Sequence, residues 1–362
     1  MRILLTADPI GGVWSYALEL CQALRAWHAS VALVTFGRAL TAHQRTQLES
    51  LDNVALYETT FRLEWMPEPW DDLERAAERL LDIAGRFRPD VIHLNHLVHA
   101  DLPWRVPVLS VGHSCVLSWW QAVRRSNPGS EWTTYRERVT ESLRAAAAVV
   151  APTAAMLGSL EEHYGPFRDT AVIHNARNGR LFTPGVKERL VLCAGRLWDE
   201  AKNVASLAAI ASHVNATIAV AGEDVGWHGS RFTAPGLALL GPLQGTELAS
   251  WYAKASIYAL PARYEPFGLT ALEAALSGCA LVLGDIDSLR EVWGAAACYV
   301  PPEDPERLCD VLNGLLDNDS FRGRMAARAM ARARQFTPAR VAGQYMDLYR
   351  RLRCDLRCSI TP

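Results

Sequence analysis

Lysine is almost missing from this chain: of its 37 basic residues only Lys187, Lys202 and Lys254 are lysines. The shortage makes Lys202 stand out. No apolar run reaches the ~18 residues that a membrane-spanning helix needs. The chain opens directly on the strand-like RILLTAD and lacks the positive region, apolar core and cleavage site of a secretory signal. A basic excess is absent too: residues 1–180 carry 18 basic and 20 acidic side chains, and the rest 19 of each. That balance excludes the electrostatic footprint of a nucleic-acid binder. The eight cysteines form no CxxC pair, so they read as reduced, largely buried thiols of a cytoplasmic protein with at most peripheral membrane contact. No GxGxxG, P-loop or GxSxG motif occurs, which speaks against a dinucleotide fingerprint and a serine hydrolase. An internal repeat of 20–50 residues is also absent.

What is present is alternation. A chain of 362 residues, half of them hydrophobic, fits two domains of about 150–200 residues. The runs RILLTAD, VALVTF, VALYETT, DVIHLNH, PVLSVGH, AVVAPT and TAVIHN alternate with helical stretches such as DDLERAAERLLDIAGRF. Strands that are near-continuously apolar and separated by helices indicate a parallel sheet covered on both faces. Residues 175–186 carry Asn, Gly and Pro without either period and read as a linker. A second series follows: RLVLCAG, ATIAVAG, LALLGPL, SIYALPA, ALVLGD and ACYVPP, and then helices to the end. The expected class is α/β, with Rossmann-like doubly wound domains over 1–180 and 181–337.

The richest stretch is PARYEPFGLTALEAALSGCALV, residues 261–282. A helix is expected to open near Phe267 and to stop at Gly278. Its free N–H groups and dipole favour an anion such as a phosphate. Glu265 then lies in the loop and Glu273 about two turns inside the helix, as carboxylates able to accept hydrogen bonds from sugar hydroxyls. Upstream, GRLWDEAKN presents Arg196 and Lys202 beyond a strand end, where doubly wound sheets bind ligands. There they can neutralise a diphosphate or, more simply, pair with Asp199 or Glu200.

Glu265, Phe267, Gly268, Leu269 and Glu273 stand in the form E-x-F-G-L-x-x-x-E. In this the chain resembles the retaining GT-B glycosyltransferase family 4, which includes glycogen-synthase-like and mannosyltransferase-like enzymes. The resemblance extends over nearly the whole chain. It implies two Rossmann-like domains facing across a cleft, with a last helix, about 338–362, that packs back on the N-terminal one. The implied activity is transfer of a hexosyl unit from a nucleoside diphosphate sugar, UDP or GDP, to a saccharide, lipid or small-molecule acceptor. No cofactor or metal is expected, since Arg196, Lys202 and the helix start can carry the charge of the leaving diphosphate, and no Asp-x-Asp metal motif is expected at a strand end.

Residue by residue, the resemblance implies that Glu265, His113, Arg196 and Lys202 are catalytic. Gly11, Gly12, Pro266, Phe267, Gly268, Leu269 and Glu273 join Arg196 and Lys202 in binding the donor. Glu273 would take the ribose hydroxyls, Glu265 the sugar, and the Phe267–Leu269 amides the phosphate. On the acceptor side stand Trp14, which also reads as a packing residue, with Asn95 and His96. His93, His96 and His99 are spaced by three, but on a strand this splays them apart and argues against zinc. The arginines at 322, 324, 328, 332 and 334 form either a solvated face or an anionic-surface patch. Two departures from the family pattern are Asn175-Ala176, where Asn-Gly is usual, and the turn AGEDVGWHG. Alternative readings are a non-hydrolysing nucleotide-sugar epimerase and a non-catalytic nucleotide-sugar-binding subunit.

Overall fold

The structure is a computed structural model and describes residues 1–226, 229, 231–243 and 245–360. It divides into two units. The first comprises Met1–Gln121, Ser126–Asn175 and the chain from Pro338 onward, and the second Ala122–Arg125 and Ala176–Thr337.

In chain order the first unit holds β1 (Arg2–Ala7), α1 (Gly12–Leu24), β2 (Ser30–Thr35), α2 (Ala42–Glu49), β3 (Val54–Tyr57), α3 (Trp70–Phe87), β4 (Val91–Leu94), β5 (Val108–Val111), α4 (Val116–Arg124, all but its last turn), α5 (Thr133–Ala145), β6 (Ala148–Ala151), α6 (Ala154–Tyr164) and β7 (Thr170–Val172). The second holds β8 (Glu188–Ala194), α7 (Val204–Ile210), β9 (Thr217–Ala221), β10 (Ala238–Gly241), α8 (Gly245–Lys254), β11 (Ala255–Leu260), α9 (Leu269–Leu276), β12 (Ala280–Gly284), α10 (Asp287–Trp293), β13 (Cys298–Val300), α11 (Pro305–Asp317) and α12 (Asp319–Ala333). The closing helix, α13 (Pro338–Ile360), belongs to the first unit.

Among the described residues the first sheet has seven strands in the order β3-β2-β1-β4-β5-β6-β7, and the second six in the order β10-β9-β8-β11-β12-β13. All of these pairings are parallel. The apolar runs become strands because both faces of each sheet are covered. β4, β5, β6, β11 and β12 are buried along their whole length. The strand order reverses next to the first strand of each sheet, between β1 and β4 and between β8 and β11. In doubly wound sheets ligands bind outside the carboxyl ends of the strands at that reversal.

α13 is held to the first unit by aromatic and ionic contacts. Tyr345 and Tyr349 stack on one another and are fully buried. Arg351 pairs with Asp169 and Arg353 with Asp90, both at 2.9 Å. No helix among the described residues is long and apolar enough to cross a membrane.

Leu192, at the middle of β8 and fully buried, tests the packing of the second core. Leu192→Ala is expected to lower unfolding free energy by about 3 kcal/mol, read from urea denaturation. A change under about 0.5 kcal/mol, the range of ordinary surface substitutions, would show that this strand is not central to the core.

Candidate active site

In the second unit, the loops leaving β8 and β11 flank the strand-order reversal, and they carry Arg196, Lys202 and Glu265. α9 starts two residues later than the sequence indicates, at Leu269 rather than near Phe267, and Glu273 sits about one turn inside it instead of two. The cause is Gly268, which takes φ 89° as the residue preceding the helix. A Cβ there would also crowd Leu289, at 3.3 Å. The left-handed turn lets Glu265 fold back over the helix start. Its Oε1 accepts from the Gly268 N–H at 2.9 Å and, at 3.5 Å, from the Phe267 N–H. Its Oε2 accepts from Lys202 Nζ at 2.7 Å. Ser288 Oγ donates to the Glu265 carbonyl at 2.6 Å and fixes the loop from the α10 side.

α9 has no acidic residue in its first turn and no side-chain cap at the residue before it. Glu265 therefore supplies the negative charge that the helix start favours. Lys202 and Glu265 are only 15% and 14% exposed, so the pair is far less screened by solvent than a surface ion pair. Phe267 is 2% exposed and turns its ring inward, edge-on to Phe336.

Arg196 behaves differently. Its Nη2 donates to Asp199 at 2.8 Å and its guanidinium lies over Trp198. This is the local pairing that the sequence left open, although Lys202 reaches past Asp199 and Glu200 to Glu265. Arg196 stays 44% exposed, so its other donors can still meet a ligand.

Glu273 is 6% exposed and has a partner the sequence did not reveal. Arg177 lies with Nε 2.8 Å from Glu273 Oε1 and packs its guanidinium over Phe182. Nothing in the local pattern of the linker marks Arg177; only the fold brings it to α9. A carboxylate offers about four lone-pair positions, so Glu273 can hold Arg177 and still accept from a hydroxyl.

In the first unit, Gly11 takes φ 75° before α1, and nothing lies within 4 Å of where its Cβ would sit. Gly12 is the first residue of the helix. The turn is thus an open stretch of backbone at a helix start. Trp14 is a packing residue: it is 6% exposed and its indole N–H donates to Gln47 at 3.0 Å.

His113 follows β5 and donates from Nε2 to Asn95 Oδ1 at 2.8 Å. Asn95 and His96 are buried below it and act through what they hold. His96 and His99 are not splayed apart, contrary to the strand argument. β4 ends at Leu94, and His99 takes φ 75°, so the turn folds the two rings together with His96 Nε2 3.0 Å from His99 Nδ1. His99 Nε2 donates to the Leu73 carbonyl, and Thr6 Oγ1 donates to His96 Nδ1, both at 3.0 Å. Every nitrogen of this pair is occupied within a neutral hydrogen-bonded chain, and among the described residues no cluster of three metal-ligating side chains forms.

Contrary to expectation, an Asp-x-Asp triplet does follow a strand: Asp285-Ile286-Asp287 after β12. The Asp285 carboxylate is taken up by Arg290, which holds it below the usual carboxylate range. The α12 arginines also divide. Arg322 donates to the Leu315 and Leu316 carbonyls and Arg332 to the Val292 carbonyl, while Arg324 meets Ser320 and the Phe321 ring on its own helix. Of the departing turn AGEDVGWHG, Trp227 and His228 lie outside the described residues.

The model for glycosyl transferases group 1 matches residues 188–318, and that for glycosyltransferase family 4 matches residues 10–178. Among curated proteins, a D-inositol 3-phosphate glycosyltransferase of Nocardioides sp. is 34% identical over 179 residues. That match takes in 48% of this chain and 37% of the relative, so the chain spans little more than a third of the relative's length. Among solved structures, sucrose-phosphate synthase from Thermosynechococcus elongatus superposes with a TM-score of 0.79 at 19% identity, over 97% of this chain and 99% of that one. The Anabaena protein HepE, solved with UDP and glucose, gives 0.75 at 17% identity, over 96% and 99%. At such identities the likeness is one of fold, and the fold is GT-B.

The buried histidines make acid stability a test of the first unit. Burial pushes His93 down to about 3 and His99 and His113 to about 4, and holds His96 well below its ordinary 6.5. An unfolded chain takes up these four protons near pH 6.5 and the folded one does not, so stability falls as pH drops from 6.5 towards 4. Glu64 opposes this: burial raises it from 4.5 to about 7, so the folded state binds one proton more in between. Four protons less one leaves three, or about 4 kcal/mol per pH unit at the steepest. Urea midpoints at pH 7 and pH 5 measure it, and equal midpoints would contradict neutral buried imidazoles.

Proposed function

This chain belongs to the GT-B glycosyltransferases of family 4, and we propose that it transfers a hexosyl unit from a nucleoside diphosphate sugar to a saccharide, lipid or small-molecule acceptor, with retention at the anomeric carbon. The observation that carries the reading is the meeting of Lys202, Glu265 and the α9 start beside the β8/β11 reversal. A cation, an array of backbone donors and a sugar-binding carboxylate converge there. UDP as the nucleotide is supported by the fold shared with the protein solved with UDP and glucose, and GDP stands beside it as the other candidate.

In this proposal the bond from the anomeric carbon to the phosphate oxygen breaks and one to the acceptor oxygen forms, and the acceptor's proton passes to the leaving phosphate. Lys202, the exposed donors of Arg196 and the Phe267–Leu269 amides receive the developing charge. Preorganised donors of this kind are worth most in a site shielded from water. That charge compensation is the ground for proposing metal independence. Glu265 accepts from hydroxyls of the donor sugar and Glu273 from those of the ribose. For the first unit, the proposed roles are His113 for the sugar, the Gly11-Gly12 turn for the diphosphate, and the acceptor surface. The proposed setting is the cytoplasm, with any membrane contact confined to its surface.

The test is release of nucleoside diphosphate from a panel of UDP- and GDP-sugars with and without acceptors, in buffer containing EDTA. Acceptor-dependent turnover is expected, and Glu265→Gln should cut kcat by about 10²–10³ with the fold intact by circular dichroism. A variant that keeps wild-type turnover would remove Glu265 from the chemistry. Conversion of the nucleotide sugar without an acceptor would point to an epimerase.

A further inference from the structure

We infer that Tyr349, on the C-terminal helix, is a positioning residue for His113, acting through His93 and Asn95 along a hydrogen-bonded chain that leaves each imidazole a single tautomer. All four residues lie in the first unit. The inference rests on the role proposed above for His113.

The chain is resolved from its fixed end. The Thr6 carbonyl can only accept, and Asn95 Nδ2 donates to it at 2.7 Å, while the Asn95 N–H donates to Thr6 Oγ1 at 2.9 Å. The amide therefore cannot flip, and its Oδ1 must face the other way. Two imidazole nitrogens meet that oxygen, His113 Nε2 at 2.8 Å and His93 Nε2 at 3.2 Å. An amide oxygen has two lone pairs and no proton, so both nitrogens must carry N–H. Both histidines are neutral, since burial pushes His93 down to about 3 and His113 to about 4. Each then has an unprotonated Nδ1. At His93 that Nδ1 lies 2.6 Å from the Tyr349 hydroxyl, which must be the donor.

Tyr349 thus sets the proton on His93, His93 and Thr6 set the face of Asn95, and Asn95 sets the proton and ring plane of His113. Tyr16 closes the cage: its ring is edge-on to His113 at 4.6 Å and its hydroxyl lies 3.3 Å from His93 Nε2. The outcome is a His113 able to accept only at Nδ1. With the Tyr349 hydroxyl gone, His93 can place its proton on Nδ1. Its Nε2 lone pair would then oppose Asn95 Oδ1 and push that oxygen off His113, loosening the contact that fixes the His113 proton. Tyr345 stacks on Tyr349 but takes no part in the chain.

The experiment compares Tyr349→Phe, Tyr345→Phe and His113→Ala with wild type, by steady-state kinetics and by long-range proton–nitrogen NMR of the imidazoles. Expected are a wild-type His113 protonated at Nε2, and a Tyr349→Phe variant with kcat down about tenfold, the worth of one hydrogen bond. Donor KM should stay within about twofold and the His113 tautomer become mixed. Tyr345→Phe should keep both readouts. A wild-type His113 protonated at Nδ1 overturns the inference by itself, whether or not Tyr349→Phe is stable enough to assay. If His113→Ala is impaired and Tyr349→Phe is not, the inference alone falls. If His113→Ala is fully active, the role given to His113 falls and takes the inference with it.

Discussion

One carboxylate at one helix start organises the second unit. Glu265 is held by Lys202 on one oxygen and by the Gly268 amide on the other, and each contact depends on a different part of the fold. Lys202 is delivered by the loop after β8. The amide is turned towards the carboxylate because Gly268 takes a positive φ that a side chain at that position would strain. The strand-order reversal brings the two loops side by side. On the proposed function, a donor phosphate would compete with Glu265 for the same ammonium and the same N–H groups, and the strength of the internal contacts would set how tightly it is held.

The first unit solves a related problem without net charge. Its strand ends carry His93, His96, His99 and His113, which burial keeps neutral, and each is oriented by directed hydrogen bonds instead of an ion pair. Neutral groups suit such a place because burying an unpaired charge costs more than burying a satisfied hydrogen bond. One unit thus presents a cation and amides, and the other polar rings with fixed tautomers. The exposed turn at Gly11 is the backbone element they have in common: in both units a glycine at positive φ precedes a helix.

The thirteen strands among the described residues can be read from the sequence, because near-continuous apolar runs such as SIYALPA and ALVLGD have no other place to go than a sheet covered on both faces. Lys202, Glu265 and Glu273 stand out for a related reason, since their motif is local. The errors lie where backbone conformation or distant contacts decide. The start of α9 moved because Gly268 left the helix, and the His96–His99 contact follows from a positive φ at His99 that no side-chain spacing reveals. Arg177 on Glu273 and Tyr349 on His93 join segments far apart in the chain, the latter across 256 positions. The Asp285 triplet shows the converse case, a motif in plain sight whose first acid is committed to Arg290.

The most direct test of the central claim is calorimetric titration of UDP and of GDP into wild type and into Lys202→Met. If the ammonium that grips Glu265 is the cation that receives a diphosphate, removing it should weaken binding of the preferred nucleotide by about tenfold or more, the equivalent of 1.4 kcal/mol. Equal affinities in the two proteins would contradict the claim and move the diphosphate site away from the start of α9.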